Sequence, residues 1–287
     1  MDGFLNLLKP PGMSSHDAVA AVRRILSCRK VGHGGTLDPA AAGVLPVAVG
    51  RCTRFIEYLA MADKEYWGEI KFGVATDSGD LTGQIIERRE NFALPTRTEA
   101  ESVLDMFRGT IRQRPPLRSA IKINGRPAYK LTGIEAEIPE REVCIRELCV
   151  TDWRDAENIM QIRVLCSKGT YIRSLAMDIG VKLSLPTVLS FLLRSRVGSF
   201  AVQDACTLEE LGEWREKALL PPDKCLAHLP RAELPTARRA AFLNGLGTTM
   251  PHTSPLCTVY ADGEFLGIGE YDRRTRLLRP AKVWSVR

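Results

Sequence analysis

Residues 31–50 read VGHGGTLDPAAAGVLPVAVG. Three glycines surround His33, and one carboxylate, Asp38, stands directly before Pro39; no further charge follows until Arg51. Taken alone, Asp-Pro is a helix start, because the aspartate can cap and the proline ring suits the first helical position. A rigid turn of this kind can equally hold a reacting acid still. The dipeptide leaves both readings open. By the same standard a lone loop histidine such as His33 is a surface residue or a satisfied donor. The run VLPVAVG (44–50) that follows reads as a buried strand.

Working outward, Ser14 or Ser15 can cap a helix that carries Asp17 in its first turn and Val19, Val22, Ile25 and Leu26 on one face. Residues 28–35 read as a basic, glycine-rich loop. EIKFGV (69–74) alternates, with Ile70, Phe72 and Val74 on one side, and TDSGDLTG (76–83) is a turn by composition. Thr98 and Glu101 fit a capping box for a helix running to about Arg108. Asn124-Gly125 signals a hairpin. REVCIRELCV and NIMQIRVLC are strand candidates, the second with Met160, Ile162, Val164 and Cys166 on one face. SKGTY then leads into a helix whose shared face is Ile172, Leu175, Ala176 and Ile179. The proline-rich stretch 218–235 reads as a linker. TVYADGEFLGIGEY beyond it is a hairpin turning at Asp262-Gly263. Strands with short turns and inserted helices make the class α+β.

The 287 residues allow one large domain or two. No apolar run approaches the ~20 residues needed to cross a bilayer, and the N-terminus lacks the basic patch of a signal peptide. Eight cysteines form no C-x-x-C pair and no histidine pair sits at ligand spacing, so reduced thiols in a cytoplasm are expected, with neither a zinc site nor a disulfide framework. The net charge of +6 permits an anionic partner without demanding one. Its distribution says more. Residues 231–287 hold nine basic and five acidic side chains, and residues 111–126 carry Arg112, Arg114, Arg118, Lys122 and Arg126 with no acid. Such clusters favour a nucleic-acid contact only modestly over a solvated face.

Five stretches occur in order: KPPGMSSHDAV, GHGGTLDPAAAGVLPVAVGRCTRF, DKEYWGEIKFGVATDSGD, PPLRSAIKINGRPAYKL and CSKGTYIRSLAMDIG. Together with LLRSRVGSF and the tail, they resemble the TruB family, tRNA pseudouridine synthases that act on the T-loop uridine. The resemblance covers nearly the whole chain and is most specific around GHGGTLDP. It implies a mixed, largely antiparallel pseudouridine synthase catalytic domain over residues 1–228, followed by a small β-barrel over 229–287 that resembles the RNA-binding PUA module. It also implies a cofactor-free, metal-free isomerisation of uridine 55. The N1–C1′ bond breaks and C5 is joined to the same C1′, with one carboxylate serving as nucleophile or base.

By motif match that carboxylate is Asp38. Tyr66 matches the active-site tyrosine that stacks on the base, Arg173 the arginine that pairs with and orients the acid, and Tyr171 a substrate-contacting position. Leu192 matches an apolar residue of the uracil site. His33 matches a residue that holds the loop with its base flipped out. Lys9, Arg29 and Lys30 are candidate phosphate contacts. Read without the motif, Tyr66 and Leu192 are core residues, Tyr171 packs, and Arg173 is an exposed first-turn arginine. The chain departs from the family pattern at Gly34 (usually Thr), at Arg118 (usually Tyr) and at Thr132-Gly133 (usually Ala-Arg). The expected partner is the T-arm of tRNA, with no membrane, no obligate protein partner and a monomeric enzyme. A guide-RNA-dependent synthase component and a tRNA-folding chaperone with dispensable chemistry are the alternatives.

Overall fold

The computed structural model describes residues 1–116, 122–123, 126–127 and 139–284. The chain opens with β1 (Gly3–Lys9), α1 (Ser15–Ile25), β2 (Val31–His33), β3 (Ala42–Val49) and a short α2 (Ile56–Leu59). Then come β4 (Lys64–Phe72), the hairpin β5 (Val74–Thr76) and β6 (Ile85–Arg88), α3 (Arg97–Asp105), β7 (Gly109–Gln113), β8 (Lys122–Ile123) and β9 (Arg126–Pro127). The next run is β10 (Arg141–Arg154), β11 (Ile159–Cys166), α4 (Ile172–Lys182), β12 (Thr187–Val197) and β13 (Phe200–Ala201). The chain finishes with α5 (Leu208–Trp214), α6 (Pro222–Cys225), β14 (Arg231–Glu233), α7 (Arg239–Leu243), β15 (Thr248–Thr249), β16 (Leu256–Ala261), β17 (Glu264–Asp272) and β18 (Leu277–Val283).

Among the described residues one large mixed sheet runs β1-β3-β12-β4-β11-β10-β7, with β2 on β3 and β13 on β12. Its neighbours pair antiparallel except β3 and β12, which run parallel at Leu193↔Ala42 and Arg194↔Gly43. Helix α4 lays Ile172, Leu175, Ala176 and Ile179 onto Ile70, Ile162 and Leu189. Helix α1 lays Val19, Val22 and Leu26 onto Leu5, Leu7, Leu45 and Val47. Alternation in β11 buries Met160, Ile162, Val164 and Cys166 fully, as its period of two requires.

A second, five-stranded sheet runs β14-β16-β17-β18-β15. Asp262 (φ 52°) and Gly263 (φ 77°) turn its main hairpin in left-handed backbone, the geometry that Asp-Gly favours. This sheet is packed against the first part of the chain. Phe55 lies 6.0 Å from both the Phe265 and Trp284 rings, and the Arg51 guanidinium stands 4.8 Å from the Trp284 ring.

The structure corrects several expectations. The supposed loop at 28–35 contains β2, whose three residues pair with Val47–Val49. EIKFGV belongs to a strand that starts at Lys64 and stops at Phe72, because Gly73 (φ 89°) takes a left-handed turn and Val74 opens β5. The capping box is Thr96 with Glu99, two residues before Thr98 with Glu101, and the helix ends at Asp105. Both registers fit the motif; the earlier one also sets Arg97 and Glu101 one turn apart in an ion pair at 2.9 Å. The proline-rich stretch 218–235 is no linker. It buries Cys225, Leu226, Ala232 and Leu234, and Leu220 exchanges two backbone hydrogen bonds with Phe4. Strands β8 and β9 pair as the flanks of the expected hairpin. Asn124-Gly125 itself, Arg118 and Thr132-Gly133 lie outside the described residues.

Candidate active site

Asp38 caps no helix. Its carbonyl accepts from the Ala41 amide at 3.1 Å, closing a tight turn at Pro39-Ala40 that feeds directly into β3. The expected helix start is overturned because the chain must be extended by Ala42 to pair with Leu193 of β12, and from Gly43 onward with β1.

The turn is held at many points. Ser15 Oγ donates to the Leu37 carbonyl (2.8 Å) and accepts from the Leu37 amide (2.9 Å). The Gly12 amide donates to the Pro39 carbonyl at 2.8 Å, and the Gly34 amide to the Pro46 carbonyl at 2.9 Å. Lys9 is fully buried. Its ammonium donates to the carbonyls of Met13 (2.7 Å), Pro10 (2.8 Å) and Pro39 (3.3 Å). The expectation that Lys9 meets a phosphate is therefore corrected: its three donors are spent inside the protein, and burial pulls its pKa down to about 8. Arg29 and Lys30 are exposed.

Helix α4, whose Ile172 and Leu175 share a core cluster with Leu37 and Ala41, brings Arg173 to the same place. Arg173 Nε lies 2.8 Å from Asp38 Oδ2, and Nη1 donates to the Ser78 carbonyl at 3.0 Å. Arg173 is therefore the buried partner of the acid, and no exposed first-turn arginine. Asp80 Oδ2 stands 3.7 Å from the same Nε. Burial alone would raise the Asp80 carboxyl, but hydrogen bonds from Thr82 and Ser78 and the charge of Arg173 outweigh it and hold the group below its usual value.

Asp38 and Arg173 line a cleft of about 400 Å³ whose walls also include Tyr66, Tyr171, Leu192 and Arg194. Tyr66 comes from β4 and is nearly buried; burial pushes its hydroxyl pKa up, so it stays protonated. The Tyr171 backbone is fixed by Gln113, which accepts from its amide (2.8 Å) and donates to its carbonyl (3.0 Å). Five of the nine sequence-derived candidates thus meet at one cleft: Asp38, Tyr66, Tyr171, Arg173 and Leu192. Lys9 lies behind it. His33 stands at the end of β2, one residue before cleft-lining Gly34, with its ring 6.1 Å from that of His16 and nearly perpendicular to it. Burial first, and then the nearby His16 and Arg194, lower the His33 pKa.

Sequence reasoning missed Ser15 as a clamp, Asp80 as a second acid on Arg173, and Arg194. TDSGDLTG was read by composition as a turn, which it is, but a turn rich in aspartate can also feed a carboxylate to a buried cation. Arg194 carried no local signal, since only its strand neighbour Leu192 matched the family's uracil-site position.

A paired carboxylate at a cleft floor, with a protonated tyrosine, an apolar wall and several cations, can perform nucleophilic or base chemistry on a planar, hydrogen-bonding substrate carried on an anion. Among the described residues no cluster of three or more His, Cys, Asp or Glu side chains could hold a metal ion, and no helix is long and apolar enough to cross a membrane.

Known proteins resemble this chain over most of its length. Residues 23–172 match the model of the TruB family pseudouridylate synthase N-terminal domain. The chain is 47% identical over 249 residues to a tRNA pseudouridine synthase B of Symbiobacterium thermophilum, covering 86% of this chain and 83% of that one. It is 41% identical to the protein of the same name from Moorella thermoacetica, over 98% of both chains. Among solved structures it is similar to a chain of a Cbf5-Nop10-Gar1 complex, with a TM-score of 0.78 and 28% identity, covering 99% of this chain and 84% of the other.

Proposed function

We propose a substrate and a mechanism from one premise: the chain belongs to the TruB family of pseudouridine synthases. The substrate is tRNA, and the reaction is isomerisation of the T-loop uridine at position 55 to pseudouridine. The observation that carries this reading is the 2.8 Å Arg173–Asp38 pair at the floor of the cleft. A buried arginine fixes one carboxylate oxygen while the acid stays open to a substrate.

The uridine enters flipped from its loop, at a cost of a few kcal/mol. Tyr66 stacks on the base, Leu192 and Tyr171 complete its walls, and His33 holds the RNA with the base turned out. Asp38 acts at the sugar or at C6 of the base as nucleophile or base. The N1–C1′ bond breaks, the uracil turns, C5 bonds to C1′, the C5 hydrogen leaves as a proton and N1 gains one. Product and substrate are isomers, so no cofactor or metal is required. The clamps on the turn keep Asp38 in place, which reduces the entropy lost on reaching the reactive geometry.

We extend the reading to two units. Residues 1–228 do the chemistry and residues 229–287 are a PUA-like RNA-binding module, whose excess of basic over acidic side chains suits a phosphate backbone. The enzyme works as a cytoplasmic monomer without an obligate protein partner. The solved neighbour's Nop10 and Gar1 partners raise a guide-dependent alternative. The higher identity to relatives named for tRNA favours the stand-alone reading.

The test is to incubate purified protein with an unmodified tRNA transcript and map pseudouridine by carbodiimide labelling and primer extension. A new stop in the T-loop is expected. Stops elsewhere only, or stops that need added guide RNA, would overturn the assignment.

A further inference from the structure

We infer that Arg194 is a positioning residue, and that its guanidinium sets the Asp38 turn and Tyr66 in register with each other. The inference rests on the isomerase reading above.

Arg194 is the largest fully buried side chain among the described residues. Its guanidinium spans the two sides of the Asp38 turn. Nη2 donates to the Gly35 carbonyl (3.2 Å) and Nη1 to that of Thr36 (3.1 Å), both ahead of Asp38, while Nε donates to the Val44 carbonyl (2.8 Å), beyond it. One rigid fork thereby fixes where the chain leaves β2 and where it enters β3. Arg194 also stands directly across from Tyr66 in the pairing of β12 with β4, and its guanidinium acts on the Tyr66 hydroxyl.

Two features indicate more than general packing. First, Arg194 makes no ion pair with a carboxylate among the described residues. A buried arginine held by neutral groups, three carbonyls and the Tyr66 hydroxyl, is costly, and its charge also depresses the pKa values of Lys9, His33 and Lys64. An apolar residue would serve a plain core better. Second, the root of the side chain is fixed against the exit of the turn. Gly43 (φ 116°) sits against the backbone of Arg194 in the parallel pairing of β3 and β12, where a Cβ would lie 2.2 Å from the Arg194 carbonyl oxygen, so the guanidinium reaches the turn from a set position. Lysine does not reproduce the fork, because the Val44, Thr36 and Gly35 carbonyls are each met by a different guanidinium nitrogen in a fixed plane, whereas an ammonium offers all its donors from one atom.

Arg194→Lys separates positioning from folding. The readouts are the single-turnover rate at saturating tRNA transcript, the affinity for that transcript, thermal unfolding, and amide exchange across residues 35–44. The expected result is a cooperative unfolding transition, affinity within about threefold and a rate lower by about 100-fold, the scale of a misplacement near 1 Å. Exchange should quicken in residues 35–44 and stay unchanged in α4. A rate within about threefold of wild type would overturn the inference. So would loss of cooperative unfolding, which would make Arg194 a general core residue. If the wild type itself forms no pseudouridine, the isomerase reading fails, while the exchange data still decide whether Arg194 holds the turn.

Discussion

Arg173 Nε lies 2.8 Å from Asp38 Oδ2, yet the two side chains occupy different surroundings: the arginine is 5% exposed and the aspartate 36%. Arg173 is anchored from behind by the Ser78 carbonyl and by Asp80. The acid is thus held by a partner that cannot move, with a face left open to the cleft.

Replacing Arg173 with methionine removes this anchor and leaves Asp80 half-buried beside an apolar side chain. The single-turnover rate should fall by about 100- to 1,000-fold, the range seen on loss of a preorganised electrostatic interaction. RNA affinity should change by no more than a few fold. Rapid-quench measurement at saturating transcript beside a filter-binding titration checks both.

Tyr66 offers two functions in one side chain, a ring and a hydroxyl. Tyr66→Phe keeps the ring and should leave binding intact, with a slower isomerisation step if the hydroxyl handles a proton, an effect of at least about 10-fold on the scale of general acid–base catalysis. Tyr66→Leu should lose the stacking surface as well, so the two variants compared under single turnover apportion the two roles.

The second sheet is joined to the first part of the chain through Phe55, Phe265 and Trp284. Phe55→Ala should cost about 3–5 kcal/mol, as large-to-small changes of buried aromatic residues do. Denaturant unfolding followed by Trp fluorescence reports it. A cost below about 1 kcal/mol would mean the two parts are scarcely coupled there.

Arg279 is exposed on β18. Arg279→Glu should weaken tRNA binding and lower the slope of log affinity against log salt by about one for each phosphate the side chain no longer meets, leaving the rate at saturation unchanged. Affinity that is unaltered across a salt series would remove this sheet from the RNA-binding face.

His33 carries a pH prediction whose sign follows from burial. Its folded-state pKa lies below 6.5, so at mildly acid pH the unfolded chain takes up a proton that the folded protein refuses. The protein therefore loses stability as the pH falls below 6.5 and recovers it above. His33→Asn should lose less stability than wild type between about pH 7 and pH 5.5, measured by urea midpoints. His228, also depressed by burial and bonded to the Tyr58 carbonyl, contributes equally to both proteins and cancels in the comparison.

Much of the molecule was legible in the sequence. Alternation marked β11, the helical face of α4 was read residue by residue, and Asp262-Gly263 announced its hairpin. What failed was governed by distant contacts. Asp38-Pro39 has the local form of a helix start, but strand pairing on both sides of β3 forces a turn. Residues 218–235 have the composition of a linker, but Cys225 and Leu226 find buried places against Phe4, Val44 and Ala48 of β1 and β3. Lys9 has the chemistry of a phosphate contact, but three carbonyls converge on it. The Asp38–Arg173 pair was legible only through the family's motifs, since the two residues lie far apart in the chain and leave no local trace of their meeting. Arg194 and Asp80 were invisible because their importance lies in what folds up against them.

The central claim is that Asp38, held by Arg173, makes and breaks the glycosidic bonds. A tRNA transcript carrying tritium at uracil C5 tests it most directly, because C5 must expel its hydrogen when it bonds to C1′. Wild-type protein should release tritium, and Asp38→Asn should release none while still binding the RNA and unfolding at an unchanged temperature. Tritium release by a folded Asp38→Asn variant at anything near the wild-type rate would contradict the account.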